Sequence, residues 1–309
     1  MRGFIIYSIV VSVLSFLTSG FVNAQQKPMY SQYVFNTLAY NPAYAGSRNI
    51  VSVSALYRNQ WVGIQGAPKT GTLTADAPFS NGRIGLGVQL ISDELGVTKT
   101  TGGAMSAAYQ ITFNNDAKLS LGLQGSISNF RANFTSLNLK AGGGGNDPVY
   151  QQDINTILYN FGSGIYFSTE RLYFGVSVLD MLNNRLRSNS SNARQVGHAY
   201  IATGYVFPLS DDFNLKTAAL VKGVIGAPIQ ADFNLTLWIK NVLALGVEYR
   251  TSSDIAASME LKITQNIGLG YAYDRSTTSL KSFNTGSHEF MIRYIFSFDQ
   301  NNSLSPRYF

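Results

Sequence analysis

The stretch Ile267-Gly268-Leu269-Gly270-Tyr271-Ala272-Tyr273-Asp274 alternates a large apolar residue with a small or polar one. Alternation at a period of two marks a β-strand with one greasy and one polar face. The same beat continues in both directions from this stretch. Downstream, Phe290, Ile292, Tyr294, Phe296 and Phe298 alternate with Met291, Arg293 and Ser297. Upstream, Ile255, Ala257, Met259, Leu261 and Ile263 alternate with Ala256, Ser258, Glu260 and Lys262. Farther back, Phe233, Leu235, Leu237 and Ile239 alternate with Asp232, Asn234 and Thr236, and Ile84, Leu86, Val88 and Leu90 with Gly85, Gly87 and Gln89. Each segment is about ten residues long, the length that crosses a bilayer when a strand is tilted.

The pattern predicts an all-β chain of about 14 antiparallel strands, an even number that suits a closed transmembrane barrel. They are expected near 49–58, 69–77, 83–91, 101–111, 118–129, 157–167, 171–178, 197–207, 214–222, 229–239, 242–250, 255–263, 266–274 and 287–298. If the chain starts in the periplasm, every second connection points outward. Those connections, near 59–68, 92–100, 130–156, 179–196, 223–228, 251–254 and 275–286, include all the long ones. The others are short and turn-like, such as Ser80-Asn81-Gly82 and Asn114-Asn115-Asp116. Short inner turns and long outer loops are the outer-membrane pattern. A soluble β-sandwich also alternates and is the competing architecture. Against it, roughly every strand shows the pattern, and the polar side holds residues that a sandwich would leave to water. Asp232, Glu248, Glu260, Lys262, Asp274 and Arg293 all share the polar parity, so they are expected to face the lumen as a salt-bridged network. An ion pathway is the alternative reading of the same residues.

Composition is consistent with a barrel. Charged residues make up 13% of the 309 residues, and there is no cysteine. Soluble domains carry about 25% charge. Mean hydropathy is nevertheless only +0.02, so the apolar residues are spread thinly rather than gathered into helical spans. Without cysteine there is no disulfide framework and no thiolate metal site. The chain opens with Met1-Arg2-Gly3, an apolar run to Leu17, and Ser19-Gly20-Phe21-Val22-Asn23-Ala24. That order reads as a secretory signal peptide cleaved after Ala24. The expected division is a signal peptide at 1–24, an N-terminal segment at 25–47, the barrel at 48–298 and a periplasmic tail at 299–309. The net charge of +6 is too diffuse for a nucleic-acid footprint.

Two stretches go beyond pattern. Residues 29–46 read Met-Tyr-Ser-Gln-Tyr-Val-Phe-Asn-Thr-Leu-Ala-Tyr-Asn-Pro-Ala-Tyr-Ala-Gly. Tyr30, Tyr33, Val34, Leu38 and Tyr44 sit at roughly helical spacing, and Pro42 would end a helix at or before Asn41. This segment is expected to pack against the lumen or the periplasmic end. With Gln60-Trp61-Val62-Gly63 and Gly66-Ala67-Pro68, it resembles the start of the PorP/SprF family of type IX secretion system membrane proteins. Gly270-Tyr271-Ala272-Tyr273-Asp274 and Gly286-Ser287-His288-Glu289-Phe290 look like that family's last two strands. The residues carrying the N-terminal resemblance are Tyr30, Ser31, Gln32, Tyr33, Asn36, Asn41, Pro42, Ala43, Tyr44 and Gly46. The resemblance implies an outer-membrane barrel of the protein-export and gliding machinery. Its implied partners are the C-terminal sorting domain of a secreted protein and periplasmic components of the machine. The chain departs from the usual barrel-assembly signal, because a tail follows Phe298.

Partner contact is expected on the outer loops, through Gln60, Trp61, Gly66, Ala67, Pro68, Phe134, Tyr150, Arg185, Arg187 and Arg194. Apolar residues flanked by arginine suit a protein interface. Packing over the barrel mouth, or contact with acidic outer-membrane lipid, is the alternative. No catalytic constellation emerges. His198 and His288 each begin a strand, and neither has a serine at a spacing that supports a triad. The Gly142–Gly145 run with Asn146, Asp147 and Asp153 has oxygen ligands but no fixed spacing for Ca²⁺. No cofactor is expected. Two functional classes remain, an interaction protein of the secretion machine and a passive channel or small-molecule transporter.

Overall fold

The computed structural model describes residues 27–114, 116–137, 151–186, 194–251 and 253–296. The expected signal peptide, the Gly142–Gly145 run, Tyr150, Arg187 and the expected tail lie outside them. Fourteen strands follow in chain order. They are β1 Val51–Asn59, β2 Lys69–Phe79, β3 Ile84–Leu95, β4 Thr98–Thr112, β5 Lys118–Ala132, β6 Ile154–Ser168 and β7 Leu172–Leu179. The second half is β8 His198–Pro208, β9 Phe213–Val224, β10 Gln230–Ile239, β11 Leu243–Arg250, β12 Asp254–Lys262, β13 Ile267–Ser276 and β14 Ser287–Phe296. Each pairs with its sequence neighbours, and β14 returns to β1 in register from Val51↔Phe296 to Asn59↔His288. The ring is closed, which removes the open edges of a flat sheet; its shortest ladder is β6–β7, from Ser163↔Val178 to Ser168↔Tyr173.

The faces are inside out relative to a soluble sandwich, which settles that alternative. Leu86, Leu121, Phe161, Phe233, Val247, Ile255 and Ile292 are exposed on the outer wall. Lys216, Asp232, Glu260, Asp274 and Glu289 are fully buried in the lumen. Buried charge is tolerable only when paired and hydrogen-bonded, and these side chains are held in that way.

The turns follow local chemistry. Lys240 and Asn241 both take positive φ in the tight β10–β11 hairpin, the backbone that suits the right-handed twist of paired strands. Connections 80–83, 113–117, 169–171, 209–212, 240–242 and 263–266 are short and lie at the end where β1 begins and β14 ends. Connections 60–68, 133–153, 180–197 and 277–286 are longer and lie at the other end. The long-loop end is therefore the outer one. One expected outer loop is corrected. Residues 92–100 are not a loop, because β3 and β4 stay paired out to Leu95↔Thr98 and turn at Gly96-Val97. Asp93, Glu94 and Lys99 are polar, but they continue the alternation and the ladder rather than breaking it.

Candidate functional site in the lumen and outer mouth

The lumen is filled by the segment preceding β1. Its expected helix is corrected to three short 3₁₀ turns, Tyr33–Phe35, Thr37–Ala39 and Pro42–Tyr44. Two asparagines break the helical path. Asn36 has φ −132° and ψ 58°, and its side-chain oxygen accepts from Thr74 Oγ1 at 3.2 Å. Asn41, before Pro42, is extended at φ −136° and ψ 108°, as a residue before proline must be. Its side chain accepts from the Ala43 N–H at 3.0 Å and donates to the Ile165 carbonyl at 3.1 Å. The segment thus exchanges helical hydrogen bonds for bonds to the barrel wall.

It descends from the outer mouth to the inner end. At the top, Lys27 pairs with Asp180 at 2.6 Å. Next, the Glu289 carboxylate accepts the backbone N–H groups of Ser31 at 3.0 Å and Gln32 at 2.9 Å. Arg58 ties this corner together. It donates to Ser31 Oγ at 2.8 Å and to Glu289 at 3.0 Å, and pairs with Asp274, which also accepts from Ser31 Oγ at 2.6 Å. The two stretches that carry the family resemblance, far apart in sequence, therefore meet here. Arg250 donates to the Tyr30 carbonyl at 3.2 Å and pairs with Asp232, Glu248 and Asp254. Farther down, Lys216 donates to the Val34 carbonyl at 3.3 Å, and Ser177 donates to the Tyr40 carbonyl at 2.5 Å. At the bottom, Gln110 donates to the Ala45 carbonyl, and Asp76 accepts from the Gly46 N–H and Arg48.

Apolar packing completes the fill. Tyr33, Val34, Phe35, Leu38, Ala43 and Tyr44 are buried with Tyr166, Tyr173 and Trp238 of the wall. Phe35 meets Trp238 edge-on at 6.4 Å, and Tyr44 meets Tyr166 edge-on at 5.3 Å. Burial pushes the phenols of Tyr30, Tyr33, Tyr40 and Tyr44 above their ordinary range, so all four stay neutral. Two glycines make the approach possible. A methyl at Gly122 would collide with the backbone of Ala43, and one at Gly85 with the Ala45 carbonyl.

The charges read from parity divide into two groups. Asp232, Glu248 and Asp274 join the upper cluster with Lys222, Arg250 and Arg58. Arg293 pairs with Glu260 lower down, and Lys262 lies 4.9 Å over the Trp238 ring. Sequence reasoning missed Arg58, Lys222, Arg250 and Glu289. Their signal was available, since each has the inward parity of its own strand.

Tyr150 and Arg187 lie outside the described residues, and the described outer-loop residues sit in separate local settings. Residues 60–68 fold back on the rim. Gln60 N–H donates to the Pro68 carbonyl at 2.9 Å, Trp61 N–H to Ser287 Oγ at 3.2 Å, and Gly96 N–H to the Gly66 carbonyl at 2.8 Å. With Lys69 and Glu94, residues Trp61, Gly66 and Ala67 line a groove of about 520 Å³. Phe134 lies half-buried in the first turn of the 133–153 loop. Arg185 and Arg194 face each other across an isolated antiparallel bridge. Asp180, which follows β7 at the base of the 180–197 loop, is engaged by Lys27. His198 is buried and bonds the Val196 carbonyl at 2.9 Å, while His288 bonds the Tyr271 hydroxyl at 2.8 Å. Asp153 accepts from Thr135 at 2.9 Å, and no cluster of three or more metal-ligating side chains occurs among the described residues.

The family described as type IX secretion system membrane protein PorP/SprF matches residues 22–294. No curated protein matches the chain. Among solved structures, the chain is similar to the toluene transporter TbuX of Ralstonia pickettii at 9% identity, covering 85% of this chain and 93% of that one with a TM-score of 0.49. It is similar to a Pseudomonas aeruginosa FadL homologue at 11% identity, covering 88% and 95% with a TM-score of 0.49. It is also similar to Omp33 of Acinetobacter baumannii at 10% identity, covering 80% and 98% with a TM-score of 0.46.

Proposed function

Because the chain belongs to the PorP/SprF family of type IX secretion system membrane proteins, we propose that it is a plugged outer-membrane barrel that holds a secreted surface protein by that protein's C-terminal sorting domain. The observation that carries this reading is the filled lumen. The segment from Tyr30 to Ser47 is tied to the wall at the top, middle and bottom. A passive pore would leave that space to water and solute. The outer mouth is the surface left for a partner. There the long loops 133–153 and 180–197 stand on a rigid scaffold, where binding residues gather. Periplasmic components of the machine would meet the short turns at the other end.

The reading is tested by exchanging residues 141–147 for a short Gly-Ser link and, separately, Arg185, Arg187 and Arg194 for serine. Both variants are expected to insert as barrels and to release surface-held cargo. The cargo is scored by gentle pull-down from detergent-solubilised outer membrane and mass spectrometry. If both variants retain cargo as the parent does, the contact is not on these loops. If no secreted protein co-purifies with the parent, and the parent instead passes steady ion current in planar bilayers, the channel reading replaces this one.

A further inference from the structure

From β2 round to β12, the outward-facing strand charges of the wall are confined to β2–β5. Across β2 to β6, Lys69, Glu94, Lys99, Arg131 and Asn155 are successive direct cross-strand partners. All five point away from the lumen and are exposed. Glu94 pairs with Lys99, which leaves Lys69 and Arg131 as an excess of positive charge in the row. On the opposite wall, from β7 to β12, no outward-facing strand residue is charged. Like charges placed directly opposite each other, as Lys99 and Arg131 are, repel by a few tenths of a kcal/mol or more. Glu94 offsets Lys99 from one side only, so an anion between Lys99 and Arg131 would relieve the remainder.

The rows beneath are graded. One step toward the periplasm, the partners are Gly71, Ser92, Thr101, Asn129 and Ile157. The Asn129 side-chain oxygen is covered and has no hydrogen-bond partner among the described residues. A covered acceptor of this kind needs a donor, because leaving one unmet costs about 1–3 kcal/mol. One further step down, the row is Leu73, Leu90, Gly103, Ile127 and Tyr159, followed by Val88, Met105 and Phe161. Cation, hydroxyl or amide, and hydrocarbon thus succeed one another down the wall.

The height fits a headgroup. The climb along β5 from Leu119 to Arg131, at about 3.4 Å per residue and a tilt of about 40°, is about 30 Å along the membrane normal. The apolar band of an outer-membrane barrel is about 25 Å tall. Lys99 and Arg131 therefore stand just above the hydrocarbon edge of the outer leaflet. Because cross-strand rows run obliquely on tilted strands, neighbours in the row differ in height by about 3 Å.

We propose that the outer wall of β2–β5 is a binding strip for a phosphorylated glycolipid of the outer leaflet. Lys99 and Arg131 hold its phosphate. Ser92, Thr101 and Asn129 meet its sugar hydroxyl and amide groups. Leu90, Ile127 and Met105 lie along its acyl chains. The strip adjoins the rim groove at Lys69 and Glu94, while its phosphate contacts, Lys99 and Arg131, lie outside that groove.

The test uses the full-length barrel in mild detergent, with lipid A carrying one phosphate and the same lipid A after phosphatase treatment as probes. Native mass spectrometry counts bound lipid. The parent is expected to retain the phosphorylated form, to lose most of it at raised salt, and to bind the dephosphorylated form poorly. Lys99→Gln with Arg131→Gln should weaken retention by about 30-fold. Arg275→Gln on β13 should leave it unchanged. Heat-modifiable migration checks that each variant is folded. Equal retention of the two lipids by the parent, or parental retention by the double variant, overturns the proposal. So does a double variant that keeps its lipid but loses a co-purifying protein, because the strip would then be a protein contact.

Discussion

Replacing Gly122 with valine is expected to expel the lumenal segment and turn a quiet barrel into a conducting one. Gly122 faces inward on β5, and a methyl there would run into the Ala43 backbone nitrogen and Cα. Backbone cannot swing aside as a side chain can. Overpacking a well-filled interior costs about 1–3 kcal/mol, and a collision with main chain sits at the upper end. The wall is a closed hydrogen-bonded ring, whereas the segment is held by separate side-chain contacts, so the segment is what yields. The parent should pass little current in planar bilayers, and Gly122→Val should pass more while keeping heat-modifiable migration. Gly125→Val is the matched control. It lies on the same strand but on the lipid face, with nothing within 4 Å of an added methyl. The idea fails if the parent conducts freely, or if Gly122→Val is as quiet as the parent.

The second large effect is expected at Arg58. This guanidinium is buried and is the cation that directly pairs both Asp274 and Glu289. Arg58→Met removes the charge and leaves two buried carboxylates facing each other. Taking one partner from a buried ion pair costs about 3–5 kcal/mol. The temperature at which the folded band gives way to the unfolded one should fall clearly. Adding Asp274→Asn and Glu289→Gln removes the stranded charges and should restore most of the loss. A single variant as heat-resistant as the parent would show that the cluster contributes little. A triple variant no better than the single would place the loss in packing rather than charge.

The barrel was legible because lipid and lumen impose opposite chemistries on alternate residues. Stretches such as Ile255–Ile263 state their two faces outright. Parity alone placed Asp232, Glu248, Glu260, Asp274 and Arg293 in the lumen. Their partners were less legible, since register between distant strands decides who meets whom. Arg58 finds Asp274 and Glu289 only because β1 closes against β14. The path of residues 30–47 was misread as helical for a related reason. Its aromatic spacing fits a helix, but Asn36 and Asn41 spend their side chains on Thr74, Ala43 and Ile165. Those bonds exist only once a wall surrounds the segment. The rim strip was missed because Glu94 and Lys99 read as loop residues, while they extend a ladder.

The position of the Arg58 corner bears on how the molecule is assembled. Arg58 belongs to the first strand and Glu289 to the last, and they are direct partners across the seam. Ser31 and Gln32 bridge that same seam from inside. The contacts at this corner therefore cannot form before the two ends of the sheet meet. Closure of this seam and docking of Ser31 and Gln32 are then one step in biogenesis rather than two. The N-terminal stretch serves as an internal splint, aligning the first strand with the last, whose pairing carries the greatest sequence separation and the largest loop-closure entropy.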